Sequence, residues 1–493
     1  MTTRVACFVF LVLLPSFAID RDSDRESPDR LIAESLKPSS LETNLRRLTD
    51  EVGGRVPGTP AFQRAVDWGV AAFKEAGADS VHTEEFTIQH GWAEGATEMT
   101  ASLYSGVTFP VRAVSVAWAP ALAPAKHVPI VDVGDGSADA FARVGEFAGR
   151  IVLVHTNVLA TWDDLFAEYE RAPAIIALAV KGKARAIAFM ATRDHAILYR
   201  HTNSVAGEID ALPQVVLARE DAERIARLLA AATPVWADLS IPNKVSPAIK
   251  TWNVVAEIRG SEKPDEFIVL GAHLDSWELG TGALDNGCNA ALVIDALRAI
   301  KASGLKPRRS IRFILFSGEE EGLIGSRVYA TTHRDELDKV AGVVIFDSGT
   351  GKTTAFSTGG RKDVIPEVEA ILKPLEQFGL TKAVPTAESG TDHFDFMLEG
   401  VPTFVADQDA ANYLENYHAT TDTFDKVDFL QLKKDVAEAA VLSFALANRQ
   451  EPIGPRLSRA QIEQMMHETH LDQELKDMGM WDEWAKGKRG RQQ

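Results

Sequence analysis

Cysteine is nearly absent from this chain of 493 residues, with only Cys7 and Cys288 present. Cys7 falls inside an apolar N-terminal stretch that reads as a cleaved leader. A mature chain would therefore keep one thiol and no internal disulfide, leaving its stability to packing. A hydrophobic content of 45% with 25% charged residues is ample for that. Long hydrophobic runs are also missing. The stretch Val5 to Leu14 is too short to remain as a membrane span, and no later run reaches its length. Positive charge is in deficit, with 52 Lys and Arg against 70 Asp and Glu and a formal charge of −18, which argues against a nucleic-acid partner. No internal repeat is present.

Length predicts two or three domains. Arg4, the Val5–Leu14 run and Ser16-Phe17-Ala18 together make residues 1–18 an expected signal peptide, with a secreted or periplasmic destination. Residues 19–101 read as the first part of a catalytic domain. Asp20 to about Leu36 should be a loosely held, charged leader, and an amphipathic helix carries Val66, Val70 and Phe73 after the Pro57–Pro60 break. Residues 102–242 read as an inserted module. It has short β-type runs (150–155, 186–190, 214–217), alanine-rich helical stretches and nothing with metal-ligand spacing. Residues 243–450 carry the main domain. Within it, Val401–Val405 should be an edge strand because of Pro402. The charged tail 451–493, with Met465, Met466, Trp481 and Trp484, reads either as a helical arm against the partner in a homodimer or as an unstructured end.

The informative stretch is Phe267 to Asp347. Three apolar runs end there in ligand chemistry: 267–272 before His273-Leu274-Asp275, 310–316 before Ser317-Gly318-Glu319-Glu320-Glu321, and 342–346 before Asp347. Short buried runs separated by helical patterns predict an α/β fold, a mixed but mostly parallel sheet flanked by helices. In such sheets ligands bind beyond the carboxyl ends of the strands, so these clusters should meet at one sheet edge. Two-metal sites need about three ligands per ion and a shared group. The candidates are His273, Asp285, Glu320, Asp347 and His418. Asp285, in an acidic turn just before a helix, could bridge two ions. His273 and Asp347 would complete one, and Glu320 and His418 the other. Imidazole and carboxylate without thiolate suit zinc, with manganese or cobalt possible. Asp275 should fix the His273 tautomer from behind. Cys288 should be a buried small apolar residue.

Five motifs carry a resemblance: His273-x-Asp275, Gly282-Ala283-Leu284-Asp285-Asn286-Gly287, Glu319-Glu320-x-Gly322-Leu323-x-Gly325-Ser326, Asp347, and Tyr417-His418-x-x-Thr421-Asp422-Thr423. Over roughly residues 41–448 the chain resembles the co-catalytic zinc exopeptidases, a family of aminopeptidases and glutamate carboxypeptidases. The resemblance implies the zinc exopeptidase fold, two Zn²⁺ per chain, and a protease-associated-like insert. It also implies Glu319 as general base beside the ligand Glu320, with Glu321 a solvent-facing bystander. Gly390-Thr391-Asp392-His393 would lie at the substrate rim, or simply cap a helix. The implied activity is hydrolysis of the N-terminal bond of short peptides or dipeptides. Two alternatives stay open: a one-ion acyl transfer of the glutaminyl-cyclase kind, and a receptor-like relative without catalysis.

Overall fold

The computed structural model describes residues 21–204 and 206–492. The expected leader 1–18, with Cys7, lies outside them. Eight strands form the first sheet, in the order Ser80–Ile88, Ile249–Ile258, Arg309–Phe316, Lys263–His273, Val340–Ile345, Thr403–Gln408, Thr353–Ser357, Ala383–Val384. The four strands from Arg309–Phe316 to Thr403–Gln408 run parallel, Ser80–Ile88 and Ile249–Ile258 pair antiparallel with their neighbours, and Thr353–Ser357 is antiparallel to Thr403–Gln408 but parallel to Ala383–Val384. The strand Lys263–His273 shows why the sheet must be covered on both sides. Alternate side chains of a strand face opposite ways. Ile268, Leu270 and Ala272 join a core with the helices Cys288–Ser303 and Phe429–Asn448, while Phe267 and Val269 pack with Phe316, Tyr329 and Phe396 on the other face.

A second eight-stranded sheet is built from residues 98–241, in the order Thr108–Val111, Glu98–Leu103, Val235–Ile241, Leu122–Asp132, Ile151–Val154, Ala186–Met190, Gln214–Leu217, Ala113–Ser115. It has its own cores and carries the helices Trp162–Lys181 and Arg219–Ala230. In sequence it falls between two strands, Ser80–Ile88 and Ile249–Ile258, that are direct neighbours in the first sheet. A short ladder of Gly91–Ala93 with Lys244–Ser246 ties its two ends together.

Three expectations are corrected. Residues 21–35 form a helix, Arg21–Ser35, rather than a loose leader. Leu31 and Ile32 are buried in the main core, and Arg298 of the Cys288–Ser303 helix donates to the Glu34 carbonyl at 3.1 Å. Two apolar residues suffice when the docking face is ready-made. The strand after Pro402 is interior. It spans Thr403–Gln408 between Val340–Ile345 and Thr353–Ser357, and Pro402 stands just before it, offering its carbonyl to Val343 N at 2.9 Å. A proline before the strand removes no ladder donor. The tail is helical, as one of its two readings has it, but it packs on its own chain. Helices Arg459–Thr469, Leu471–Asp477 and Trp481–Ala485 fold back on their own chain, burying Ile462, Met466, Leu475 and Trp484 against Phe394, Met397 and Leu398.

Candidate metal centre

The strand Lys263–His273 delivers His273 at its carboxyl end, where it pairs with Phe316 of the parallel neighbour. Asp347 follows Val340–Ile345 on the other side. These positions are dictated by parallel pairing: the strands point the same way, so their ends coincide. Glu319 and Glu320 lie in the turn after Arg309–Phe316. The Ala283–Gly287 turn brings Asp285, and a distant loop brings His418.

The five side chains meet as two trios sharing one carboxylate. His273 Nε2 lies 3.1 Å from Asp285 Oδ1 and 2.9 Å from Asp347 Oδ1. His418 Nε2 lies 3.3 Å from Asp285 Oδ2 and 2.8 Å from Glu320 Oε2. Tetrahedral ligands with bonds of ~2.0–2.1 Å stand roughly 3.3 Å apart, so both trios are already at ligand spacing. Each oxygen of Asp285 serves a different trio. Glu319 belongs to neither, with Oε2 3.9 Å from His273 Nε2. Access is narrow. Glu319 and Asp347 keep 12% of their side-chain surface, whereas His273, Asp285, Glu320 and His418 keep 5% or less.

The electrostatics ask for cations. Burial drives Glu319 and Glu320 well above the carboxylate range, and neighbouring carboxylates add to it. His273, which burial alone would push down, is carried well above the imidazole range by Asp347 and Glu319. Buried carboxylates without a counter-charge are costly. Glu320 Oε1 has no hydrogen-bond partner. Two trios of this donor type fit two divalent ions.

The supporting residues were only partly foreseen. The acceptor behind His273 is the backbone carbonyl of Asp275, 3.1 Å from Nδ1, while the Asp275 carboxylate sits at 3.8 Å and accepts from Glu320 N at 3.2 Å. Either way Nε2 is left free as a ligand. Glu321 is a correction: it is 1% exposed, packed toward Asp275 rather than facing solvent. The rim loop is also deeper than expected, with Asp392 and His393 fully buried and His393 opening the short helix Phe394–Leu398. Cys288 is buried, as an apolar residue would be.

Three residues went unread. Arg55, fully buried, donates from Nε to the Leu274 carbonyl and from its two terminal nitrogens to Thr281 and Gly282 carbonyls at 2.9 Å each. Asp422 accepts from the backbone N–H of Ala283, Leu284 and Asp285 at 3.0, 2.7 and 3.1 Å. Asn286 donates to Asp347 Oδ1 at 2.6 Å. Asp422 and Asn286 sit inside the quoted motifs, so the signal was there without its meaning. Arg55 had only its neighbouring Gly53-Gly54: a Cβ at Gly54 would lie 2.3 Å from Glu278 Cα.

His418 has φ of +58°. The left-handed region costs a non-glycine residue roughly 1–2 kcal/mol, so the surroundings must hold it there. The Trp277 ring meets it edge-on with centroids 5.9 Å apart.

Residues 253–441 match the model of peptidase family M28. Carboxypeptidase Q of Rattus norvegicus is 29% identical over 407 residues, covering 82% of this chain and 84% of its own. The crystal structure of a peptidase M28 precursor from Shewanella amazonensis SB2B superposes with a TM-score of 0.80 at 26% identity, covering 89% of this chain and 99% of its own. BSAP, a zinc aminopeptidase from Bacillus subtilis, shares the fold with a TM-score of 0.63 at 19% identity, covering 85% and 97%. With the motifs and this donor set, the chain is a zinc metallopeptidase whose residues 253–441 match peptidase family M28.

Proposed function

We propose that this protein is a two-zinc exopeptidase that removes the N-terminal residue of short peptides or splits dipeptides. The observation that carries the reading is the sharing of Asp285, one oxygen to each trio, with Glu319 alongside but outside both. His273, Asp347 and Asp285 would hold one ion, and Glu320, His418 and Asp285 the other. Bound there, the ions supply Lewis acidity that acidifies a water and polarises the scissile carbonyl. Glu319 is the general base: its carboxylate takes the proton from the attacking water and returns it to the leaving amine. Asp275 orients His273, and Asn286 orients Asp347. The narrow approach past Glu319 and Asp347 favours short substrates. The second module narrows it further, since Trp162 and Leu165 of its Trp162–Lys181 helix pack with Leu284 and Tyr413 beside the site. We read that module as protease-associated-like, and the leader 1–18 as directing export.

Glu319→Ala should retain two zinc ions per chain and lose nearly all turnover, about 10²–10⁴-fold for a general base. Asp285→Ala should lose metal as well as activity. Turnover near wild type in the first variant, or full metal in the second, would overturn the respective assignment. Metal per chain in the unaltered protein separates this reading from the two alternatives, at two ions, one or none.

A further inference from the structure

His418, one of the five proposed ligands, lies in a loop whose backbone is hydrogen-bonded to the second module. We propose that the 98–241 module is a positioning element of the metal centre, clamping the Tyr417–Thr420 loop so that His418 reaches its ion, with Arg193 the central side chain of the clamp. The inference rests on reading His418 as a ligand.

Three main-chain or guanidinium bonds cross from the module in succession. Arg193 donates from a terminal nitrogen to the Tyr417 carbonyl at 2.8 Å. Arg200 N donates to the His418 carbonyl at 3.0 Å, and Thr420 N donates to the Leu198 carbonyl at 2.9 Å. Tyr199 and Ala419 form an antiparallel bridge between these last two bonds, so the loop is paired like a short strand against module residues 198–200. Tyr169, on the helix Trp162–Lys181, shares a hydrogen bond with the Tyr417 hydroxyl at 2.9 Å. By contrast, the loop's own bonds are single turns, Ala419 N to Asn416 O and Asp422 N to Ala419 O. Turns of that kind do not explain a histidine held at φ +58°.

Arg193 is itself locked. It is 3% exposed, its guanidinium carbon lies 3.9 Å from the Tyr199 ring centroid, and a terminal nitrogen lies 3.5 Å from Glu168. A planar fork fixed in this way transmits position, which a mobile ammonium cannot do as well. Trp118 of the module extends the support from the other side, packing edge-on to Trp277 at 6.3 Å, and Trp277 in turn meets His418. Arg200 adds an ion pair to Glu278 at 2.8 Å, in the loop that follows His273. A module that served only to capture substrate would have no need to grip the backbone of a ligand loop.

The test uses the full-length protein stripped with chelator and titrated with zinc, reading zinc per chain and activity together. Arg193→Gln should stay folded by circular dichroism yet bind its second zinc about 10-fold or more weakly. Excess zinc should restore both the second ion and turnover, which it would not do for a purely structural defect. Arg193→Lys should fall between, and Tyr169→Phe should shift the same site in the same direction by less. His418→Ala is the reference for losing that ion outright. If His418→Ala loses one zinc while Arg193→Gln and Tyr169→Phe bind both with wild-type affinity, the clamp is overturned and the ligand reading stands. If His418→Ala keeps two, the ligand reading falls and takes the clamp with it. Should Arg193→Gln fail to fold, Tyr169→Phe decides.

Discussion

Arg55 is a cation buried among anions, yet its hydrogen bonds all go to main-chain carbonyls. Asp422, Asp275, Asp285 and Glu320 surround it, and burial still lowers its guanidinium to about 10. Its work is geometric. It holds the Thr281–Gly282 turn from below while Asp422 gathers the three N–H groups that follow, so the turn presenting Asp285 is fixed from both sides. At Gly282 a Cβ would lie 2.3 Å from Ser276. Arg55→Ala would take a donor from three carbonyls, of which Gly282 keeps the Gly287 N–H at 3.1 Å. At about 1–3 kcal/mol for each unsatisfied group, a loss of several kcal/mol is expected in urea unfolding. Arg55→Lys should recover little of it, since one ammonium cannot reproduce the fork. A loss below about 1 kcal/mol for the alanine variant would show the turn to be self-supporting.

At this scale the sequence was legible where a residue sits at the end of an apolar run, as His273 and Asp347 do. It was illegible where the meaning depended on distant chain. Glu321 reads as one more acid in a charged triplet, and only the turn after Phe316 decides that it points inward. Arg55 lies more than two hundred residues from the carbonyls it serves, and no local pattern announces that.

Among the elements, the edge strand Ser80–Ile88 has a pH-dependent anchor. His333, which follows the helix Ile324–Thr332, meets Glu84 of that strand with Nε2 2.9 Å from Oε2. This hydrogen bond raises His333 above its usual range, with Glu336 reinforcing and burial and Arg312 opposing. Burial pushes Glu84 up, but hydrogen bonds from His333 and His82 outweigh it and hold the carboxyl near about 2. The contribution of His333 is therefore complete below its unfolded value of about 6.5 and is lost as pH rises through its higher folded value. That of Glu84 is present above about 4.3 and lost as pH falls toward 2. The melting temperature of His333→Gln should lie below wild type at pH 6 and converge with it by pH 9. A gap independent of pH would mean that packing, not charge, pins the strand. The tail offers a sharper case. Arg489 binds Asp395 through two bonds of 2.8 and 2.6 Å, both side chains being nearly buried. Arg489→Ala leaves that carboxylate alone, and unfolding should show a loss of about 3–5 kcal/mol. Ser458 and Gln461 form a reciprocal cap at the start of the tail's first helix, a local signal that went unread. The tail's destination had no local signal, because the apolar patch of Phe394, Met397 and Leu398 lies on another element.

On the scale of the whole molecule, the strand-like runs of the second module at 186–190 and 214–217 coincide with strands of the second sheet. Its relation to the metal centre could not be read, because Arg193, Tyr199 and Arg200 carry no ligand spacing. They matter only through the loop they touch.

The placement of that module also bears on how the chain folds. Ser80–Ile88 and Ile249–Ile258 pair along nine rungs, yet about 160 residues separate them. Closing a flexible loop of that length costs about 4.5 kcal/mol beyond a constant. A module that folds first and zips Gly91–Ala93 to Lys244–Ser246 brings the two strands together at almost no further entropic cost. The catalytic sheet then acquires its outer edge as though joined by an ordinary hairpin.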